Sequence, residues 1–255
     1  MIKKILLLPL LMGIFLLACS KSEQGSENNN GHNSNIEPGI AKGRVLDGRG
    51  NPIAGARVYV DNTVYFNSGI STTSDANGYY RVQVPAGSWR VYARISVTYN
   101  GKTFDKIDLH PDNANSFSGP DGTICNFKWK LTGEKPLPLG GYYGGSVNLY
   151  NDPNSDLYDV ENIEFTFTPA APLIDGSSGE VIKAKSGLPL TPLFKKIEDL
   201  PIGRYTVTAR HLPSGKTIKL AHNDNQFQYA SSITIDFEPE LNFCSRCVTI
   251  LYNEK

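Results

Sequence analysis

The sequence predicts an all-β protein built from two tandem β-sandwiches. Short stretches alternate apolar with polar residues, Gly- and Pro-containing turns separate them, and Ala/Leu/Glu-rich helical blocks are absent after residue 20. The 255 residues are enough for two small hydrophobic cores. Lys plus Arg and Asp plus Glu each number 25, so the charge balance gives no reason to expect a nucleic-acid partner.

The first 19 residues predict a lipoprotein signal peptide and not a part of the fold. Lys3 and Lys4 precede an apolar stretch, residues 5–17, that is too short for a comfortable membrane span. The stretch ends in Leu16-Leu17-Ala18-Cys19, which resembles the bacterial lipobox. The resemblance implies cleavage before Cys19 and acylation of its thiol, and several acyl chains would anchor the protein stably. An ordinary signal peptide followed by a chance cysteine is the alternative.

Residues 20–38 predict a flexible tether between the lipid and the first sandwich. The segment has one aliphatic residue and no aromatic residue, so it cannot bury a core of its own. Ser20 directly after the cysteine resembles the pattern of outer-membrane sorting. The expected location is therefore the cell envelope, lipid-anchored at the outer membrane, and the acidic residues nearby leave export to the surface open.

Residues 39–132 predict the first sandwich. Apolar and polar residues alternate along four stretches, which would place one face of each strand on a shared core and the other in water. These stretches are residues 56–61, 80–84, 89–95 and 125–131. Asp75-Ala76-Asn77-Gly78 and Pro85-Ala86-Gly87 supply turns between the strands.

Positions 40–132 resemble the carboxypeptidase regulatory-like domain, a transthyretin-like (prealbumin-like) sandwich. The resemblance implies a domain without catalytic residues that acts as a folding, spacing or interaction module, because the family name refers to the zinc carboxypeptidases to which such domains are attached. The matching positions are Gly43, Val45, Asp47, Gly50, Pro52, Ile53, Gly55, Ala56, Val58, Thr73, Asp75, Gly78, Tyr80, Val84, Pro85, Gly87 and Val91.

Residues 142–255 predict the second sandwich, after a Pro-containing linker at residues 133–141. Apolar and polar residues alternate along residues 163–168, 204–209 and 233–237. Some of its motifs repeat those of the first sandwich: Val84-Pro85-Ala86-Gly87 is matched by Leu200-Pro201-Ile202-Gly203. Two explanations stay open, a divergent internal duplication and the independent reuse of the same turn residues.

The sequence predicts no catalytic residue and no cofactor. None of the four histidines begins a His-x-x-Glu or His-Glu-x-x-His motif, the spacings that bring zinc ligands together. The chain also lacks the Gly-x-Ser-x-Gly motif of serine hydrolases and a Walker-type phosphate loop. A small hydrolase or redox protein remains the less favoured alternative.

Two His-x-Asp-Asn loops are weak candidates for calcium sites. They contain Asp112 and Asn113 in the first half, and Asp224 and Asn225 in the second. Calcium requires six to eight oxygen ligands, and each loop offers only part of such a shell. Asp and Asn also stabilise turns through their own backbone. The expectation is therefore that these residues form turns and bind no metal.

Three cysteines besides Cys19 are candidates for a disulfide: Cys125, Cys244 and Cys247. Disulfides persist in an exported protein, and one structural bridge is expected. The bridge could join Cys244 to Cys247, or Cys125 to either of them. Side chains three positions apart in a regular strand point to opposite faces, so a bridge between Cys244 and Cys247 would need a turn there.

Exposed aromatic residues are the remaining candidates for ligand binding. Tyr142 and Tyr143 lie among glycines and could stack on a sugar face, as could Tyr65-Phe66, Tyr92 or Tyr99. Such residues more often fill a core or the joint between modules.

The expected function is that of a non-catalytic, lipid-anchored envelope protein that binds or scaffolds. Its partners would be the membrane, through the lipid, and another envelope protein or a glycan, reached through loops and strand edges. The alternative is a carbohydrate-binding accessory lipoprotein of a glycan-uptake system.

Overall fold

The computed structural model describes residues 35–223, 228–241 and 244–255. The predicted signal peptide, Cys19 and most of the predicted tether lie outside these residues. The segment Asn35–Lys255 is one compact unit made of strands and two short 3-10 helices, Gly119–Asp121 and Val160–Asn162. This confirms the prediction of an all-β sandwich fold. No helix in the described ranges is long and apolar enough to cross a membrane.

Ten strands build the first sandwich: β1 (Ile40–Leu46), β2 (Arg57–Asn62), β3 (Gly69–Thr73), β4 (Tyr79–Gln83), β5 (Ser88–Tyr99), β6 (Lys102–Asp108), β7 (His110–Pro111), β8 (Phe117–Ser118), β9 (Thr123–Ile124) and β10 (Phe127–Lys128). One sheet has the order β4–β1–β10–β7, with β9 also paired to β1. The other has the order β3–β2–β5–β6, with β8 also paired to β5. The core lies between the two sheets.

The alternation of apolar residues places the core of the first sandwich. Val58 and Val60 on β2 are paired with Ala93 and Val91 on β5, and all four are buried. Residues two apart on a strand share a face, so the intervening Tyr59 lies on the outer face of the sheet, opposite Tyr92.

Nine strands build the second sandwich: β11 (Gly145–Asn151), β12 (Ile163–Pro169), β13 (Ile182–Ala184), β14 (Lys196–Leu200), β15 (Arg204–His211), β16 (Thr217–His222), β17 (Ile233–Asp236), β18 (Glu238–Leu241) and β19 (Cys244–Asn253). Their order is β13–β12–β15–β16–β19–β11–β14. Strand β17 also pairs with β15, and β18 with β19. Strand β16 passes from one layer to the other, because Thr217 and Ile218 pair with β15 while residues 219–222 pair with β19.

The two sandwiches have corresponding strand pairings. The first strand of each, β1 or β11, is antiparallel to β4 or β14 and parallel to β10 or β19. The strands β2–β5–β6 correspond to β12–β15–β16, and β8 returns to β5 as β17 returns to β15. Strands β6 and β7, separated only by Leu109, together occupy the place of β16.

A matching side-chain bond lies at the repeated Pro-x-Gly motif. The indole of Trp89 donates to the carbonyl of Pro85 at 3.0 Å, and the hydroxyl of Tyr205 donates to the carbonyl of Pro201 at 2.8 Å. Together with the strand pairings, this supports a divergent internal duplication, which we propose.

The histidines of the two His-x-Asp-Asn loops do not correspond in this arrangement. In the first sandwich, the N–H of Leu109 donates to the carbonyl of Ala93. In the second sandwich, Ile218 is the strand partner of Ala209. With Ala93 placed on Ala209, His110 corresponds to Lys219 and not to His222. The two histidines are therefore offset by three positions along the strands.

Candidate functional site

The linker between the sandwiches is held by the carboxylate of Asp199. Its two oxygens accept the N–H of Gly133 at 2.7 Å and the N–H of Gly144 at 3.1 Å. Asp199 itself has a positive φ of 64°, a region that non-glycine residues seldom adopt. Because the first residue of the linker and a residue just beyond its end bond to the same carboxylate, the path of the linker is fixed at this point.

A buried ion cluster ties the linker to the first sandwich. The carboxylate of Asp108 accepts Nε of Arg94 at 2.7 Å and Nζ of Lys135 at 2.6 Å. The side chains of Asp108 and Lys135 are only 10% and 8% exposed. Burial opposes ionisation of Asp108, but the hydrogen bonds from Arg94 and Lys135 outweigh it and hold its pKa below the usual value. Burial also lowers the pKa of Lys135.

This ion cluster lines a cleft of about 500 Å³ between the two sandwiches. Arg246 enters the cleft from β19 and donates to the backbone carbonyls of Tyr143 and Tyr142 at 3.0 and 3.3 Å. Its burial lowers the pKa of its guanidinium. The cleft walls thus hold the charged groups of the joint, each bonded to a carboxylate, an ammonium or guanidinium group, or a backbone carbonyl.

A second set of polar contacts connects the sandwiches away from the linker. The hydroxyl of Tyr99 donates to the carbonyl of Pro172 at 2.7 Å and accepts the N–H of Arg204 at 3.0 Å. The amide of Asn100 donates to Asp236 at 2.9 Å, and Asp236 also binds the guanidinium of Arg204 through both oxygens. Tyr99, a possible sugar-stacking residue in the sequence, is therefore part of the joint.

The structure places Tyr143 inside the joint and not on a binding surface. Tyr143 is 3% exposed, and its hydroxyl lies 3.0 Å from Nδ1 of His110. Its ring is therefore unavailable to a sugar, which corrects the expectation for this residue. Tyr142 is half-buried. The sequence could not show that Tyr143 is buried, because its partner His110 lies 33 positions away.

An open aromatic cleft lies instead on the outer face of the first sandwich. The rings of Tyr59 and Tyr92 stack with centroids 4.8 Å apart and planes 9° apart. They border an open cleft of about 400 Å³, which the loop residues Tyr65 and Phe66 also line. Sequence reasoning named Tyr92 and Tyr65-Phe66 but missed Tyr59, although the alternation of β2 already indicated its outward direction.

The weak calcium candidates within the described residues bond to their own chain. Asp112 uses both carboxylate oxygens to accept the backbone N–H and the side-chain amide of Asn126, each at 2.8 Å. Asn113 accepts the N–H of Asn115 at 3.0 Å. The other two candidates, Asp224 and Asn225, lie outside the described residues. Within residues 35–223, 228–241 and 244–255, no group of three or more His, Cys, Asp or Glu could hold a metal ion.

The structure pairs Cys244 with Cys247 in a disulfide within β19. Arg246, between them, has a positive φ of 53°, which interrupts the regular strand and brings the two side chains together. Cys125 is a free, buried thiol that donates to the carbonyl of Asn113 at 3.3 Å. Burial raises its pKa to about 12, so it is not a reactive thiolate at neutral pH.

One Ser–His–Asp contact chain lies at the β15–β16 hairpin. Nδ1 of His211 is 2.8 Å from the hydroxyl of Ser214, and Nε2 is 3.0 Å from Asp159. Ser214 is exposed at the hairpin turn and also accepts the N–H of Lys216 at 3.3 Å. The clefts at the joint and on the outer sheet face are lined by other residues. The contact chain fastens the hairpin to residue 159, and the neighbouring cleft is lined by Arg210 and Thr217 but by none of these three residues.

The family comparison confirms the predicted resemblance. Residues 41–117 match the carboxypeptidase regulatory-like domain. No curated protein sequence matches the chain.

Among solved structures, similarity extends over most of the chain at low identity. The TIE protein of Bacillus anthracis is 14% identical, with a TM-score of 0.36, 85% of this chain covered and 34% of that one. The minor pilin GBS52 of Streptococcus agalactiae is 13% identical, with a TM-score of 0.28 and coverages of 85% and 96%. A C-terminal fragment of the pilus adhesin SpaC of Lactobacillus rhamnosus GG is 10% identical, with a TM-score of 0.27 and coverages of 86% and 98%. The chain thus spans about a third of the length of the TIE protein.

Proposed function

We propose that this chain, which contains a carboxypeptidase regulatory-like domain at residues 41–117, is a non-catalytic, lipid-anchored envelope protein that binds or scaffolds. The observation that carries the proposal is the polar joint. Asp108, Asp199 and Tyr99 connect the two sandwiches directly or through the linker. Such a joint presents the loops of both sandwiches in one fixed arrangement, which a spacer or docking module requires.

The proposed organisation follows the chain from its lipid. Residues 1–19 direct export and end at acylated Cys19, and residues 20–38 are a flexible tether that holds the sandwiches off the outer membrane. The sandwiches occupy residues 39–132 and 142–255, with the linker at 133–141. The partners are the membrane, through the lipid, and a second envelope protein or a glycan.

The non-catalytic part of the proposal is supported by the state of the reactive side chains. Cys125 is buried as a thiol, and Cys244 and Cys247 are joined to each other. The ionised groups of the joint are bonded to other groups of the joint, as Asp108 is to Arg94 and Lys135. The protein is expected to act without a cofactor.

A second candidate function is carbohydrate binding within a glycan-uptake system. The specific observation in its favour is the open cleft beside the stacked rings of Tyr59 and Tyr92. Tyr143 does not support it, because its ring is buried in the joint.

Replacing Cys19 with serine is expected to abolish lipidation, because serine lacks the thiol that accepts the diacylglyceryl group. The full chain is expressed in a bacterial host fed an alkyne fatty acid, and the incorporated label is read on a gel. The wild type should carry the label and fractionate with membranes, and Cys19→Ser should show neither property. Cys125→Ala is the matched control and should keep the label. Equal labelling of Cys19→Ser and the wild type would contradict the anchor.

A further inference from the structure

We propose that the outer face of the β3–β2–β5–β6 sheet binds a neutral oligosaccharide, with one sugar ring stacked on Tyr59. The proposal rests on the second candidate function, carbohydrate binding, and assigns it a site. It does not depend on the lipid anchor.

The aromatic surface is held in place before any ligand arrives. Tyr59 and Tyr92 are direct cross-strand partners, and their rings are nearly parallel. The hydroxyl of Tyr92 donates to Asp61 at 2.9 Å. The guanidinium groups of Arg57 and Arg94 lie 5.6 and 6.0 Å from the ring centre of Tyr59, within the range of cation–π attraction. A preorganised ring loses little conformational freedom on binding.

The cleft combines ring faces with hydrogen-bonding side chains. A pyranose has a face of C–H groups that stacks on an aromatic ring and an edge of hydroxyl groups that needs polar partners. The cleft provides both, since polar groups accompany its aromatic residues. These polar side chains are Asp61, Asn62, Asn67, Ser68 and Ser71.

The loop at residues 63–68 forms a fixed rim of the cleft. The side-chain oxygen of Asn62 accepts the N–H of Val64 and of Tyr65, both at 2.9 Å. The hydroxyl of Thr63 donates to that of Ser88 at 2.7 Å. This ordered loop leaves Tyr65 69% and Phe66 94% exposed. Exposed apolar side chains on an ordered rim are typical of a binding surface.

The charge of the cleft favours a neutral sugar. Among the residues that line it, Asp61 alone is charged at neutral pH. A carboxylated or sulfated sugar would meet this carboxylate at short range. Two guanidinium groups also border the rings: that of Arg94 is paired with Asp108, and the positive charge of Arg57 offsets the negative charge of Asp61. A neutral oligosaccharide therefore fits the cleft better than an acidic one.

The test measures binding of the mature, lipidated protein in detergent to cellohexaose, maltohexaose, mannohexaose and xylohexaose by isothermal titration calorimetry. We expect at least one of these sugars to bind, and Tyr59→Ala to weaken that binding about tenfold. Tyr150→Ala is the matched control, because Tyr150 is 53% exposed on the second sandwich; it should bind as the wild type does. Both variants should remain folded at the temperature of the titration, as shown by circular dichroism, which separates loss of the site from loss of the fold.

Two results would overturn the proposal. One is the absence of binding to all four sugars, and the other is equal binding by Tyr59→Ala and Tyr150→Ala. The fatty-acid label on Cys19 is read on the same preparations. If the label is present and no sugar binds, the glycan site fails while the lipid-anchored scaffold stands.

Discussion

Asp108→Ala is expected to lower the free energy of unfolding by about 3–5 kcal/mol, because it leaves two cations of the joint without their shared carboxylate. Arg94 and Lys135 both donate to Asp108, and Lys135 is nearly as buried as the carboxylate itself. Urea unfolding of the wild type and the variant measures the loss. The variant should also loosen the linker, because the bond from Lys135 to Asp108 joins the linker to the first sandwich in this cluster.

Asp105→Ala is the matched control for this prediction. Asp105 lies three positions earlier on the same strand, β6, and its side chain is exposed with one hydrogen bond from Ser96 at 2.9 Å. Its removal should change stability little, since exposed polar contacts contribute weakly. Equal losses for the two variants would show that the buried cluster does not stabilise the joint.

The same cluster gives stability a defined pH dependence. The pKa of Asp108 is lower in the folded protein than in the unfolded chain, so the unfolded chain binds more protons as the solution becomes acidic. The contribution of Asp108 is fully present above the unfolded pKa of about 3.9 and is lost as the pH falls through the folded value. In acid titrations followed by urea unfolding, Asp108→Ala should lose less stability in this range than the wild type.

Gly43→Ala is expected to cost about 4 kcal/mol or more, at the upper end of single substitutions. A Cβ at this position would overlap the backbone carbonyl of Cys125 and press on the ring of Tyr80. The neighbouring segment cannot simply move away. The carbonyl of Cys125 accepts the hydroxyl of Tyr80 at 2.6 Å, and the N–H of Cys125 donates to the carbonyl of Lys42 at 2.9 Å. The expected result is loss of the folded first sandwich, measured by near-ultraviolet circular dichroism and thermal unfolding.

Gly48→Ala provides the comparison for Gly43→Ala. Gly48 is exposed, and a Cβ there would make only ordinary contact with the carbonyl of Trp129 at 3.6 Å. This variant should fold and unfold as the wild type does. If Gly43→Ala were equally stable, β1 would not approach the Cys125 segment as closely as the structure shows.

The core could be predicted because its signal is local. Val58, Val60, Val91 and Ala93 alternate with polar residues in the sequence, and a strand converts that alternation directly into one buried face. The resemblance of residues 40–132 to a known domain rested on turn residues and on apolar strand residues, which are equally local.

The joint could not be predicted, because its bonds connect distant positions. Asp108 meets Lys135 across 27 positions, and Gly133 meets Asp199 across 66. In the sequence, Tyr143 is an aromatic residue close to several glycines. Its burial beside His110 follows only from the folded structure. The stacking of Tyr59 on Tyr92 likewise depends on the register of β2 against β5.

The account depends most on the joint making one cooperative body of the two sandwiches. The chain has two tryptophans, Trp89 and Trp129, and both lie in the first sandwich. Tryptophan fluorescence therefore follows the first sandwich, whereas far-ultraviolet circular dichroism follows the strands of both. In urea unfolding of the mature protein, we predict that the two signals change together with one midpoint. A fluorescence transition completed while about half of the dichroism signal remains would contradict a fixed joint.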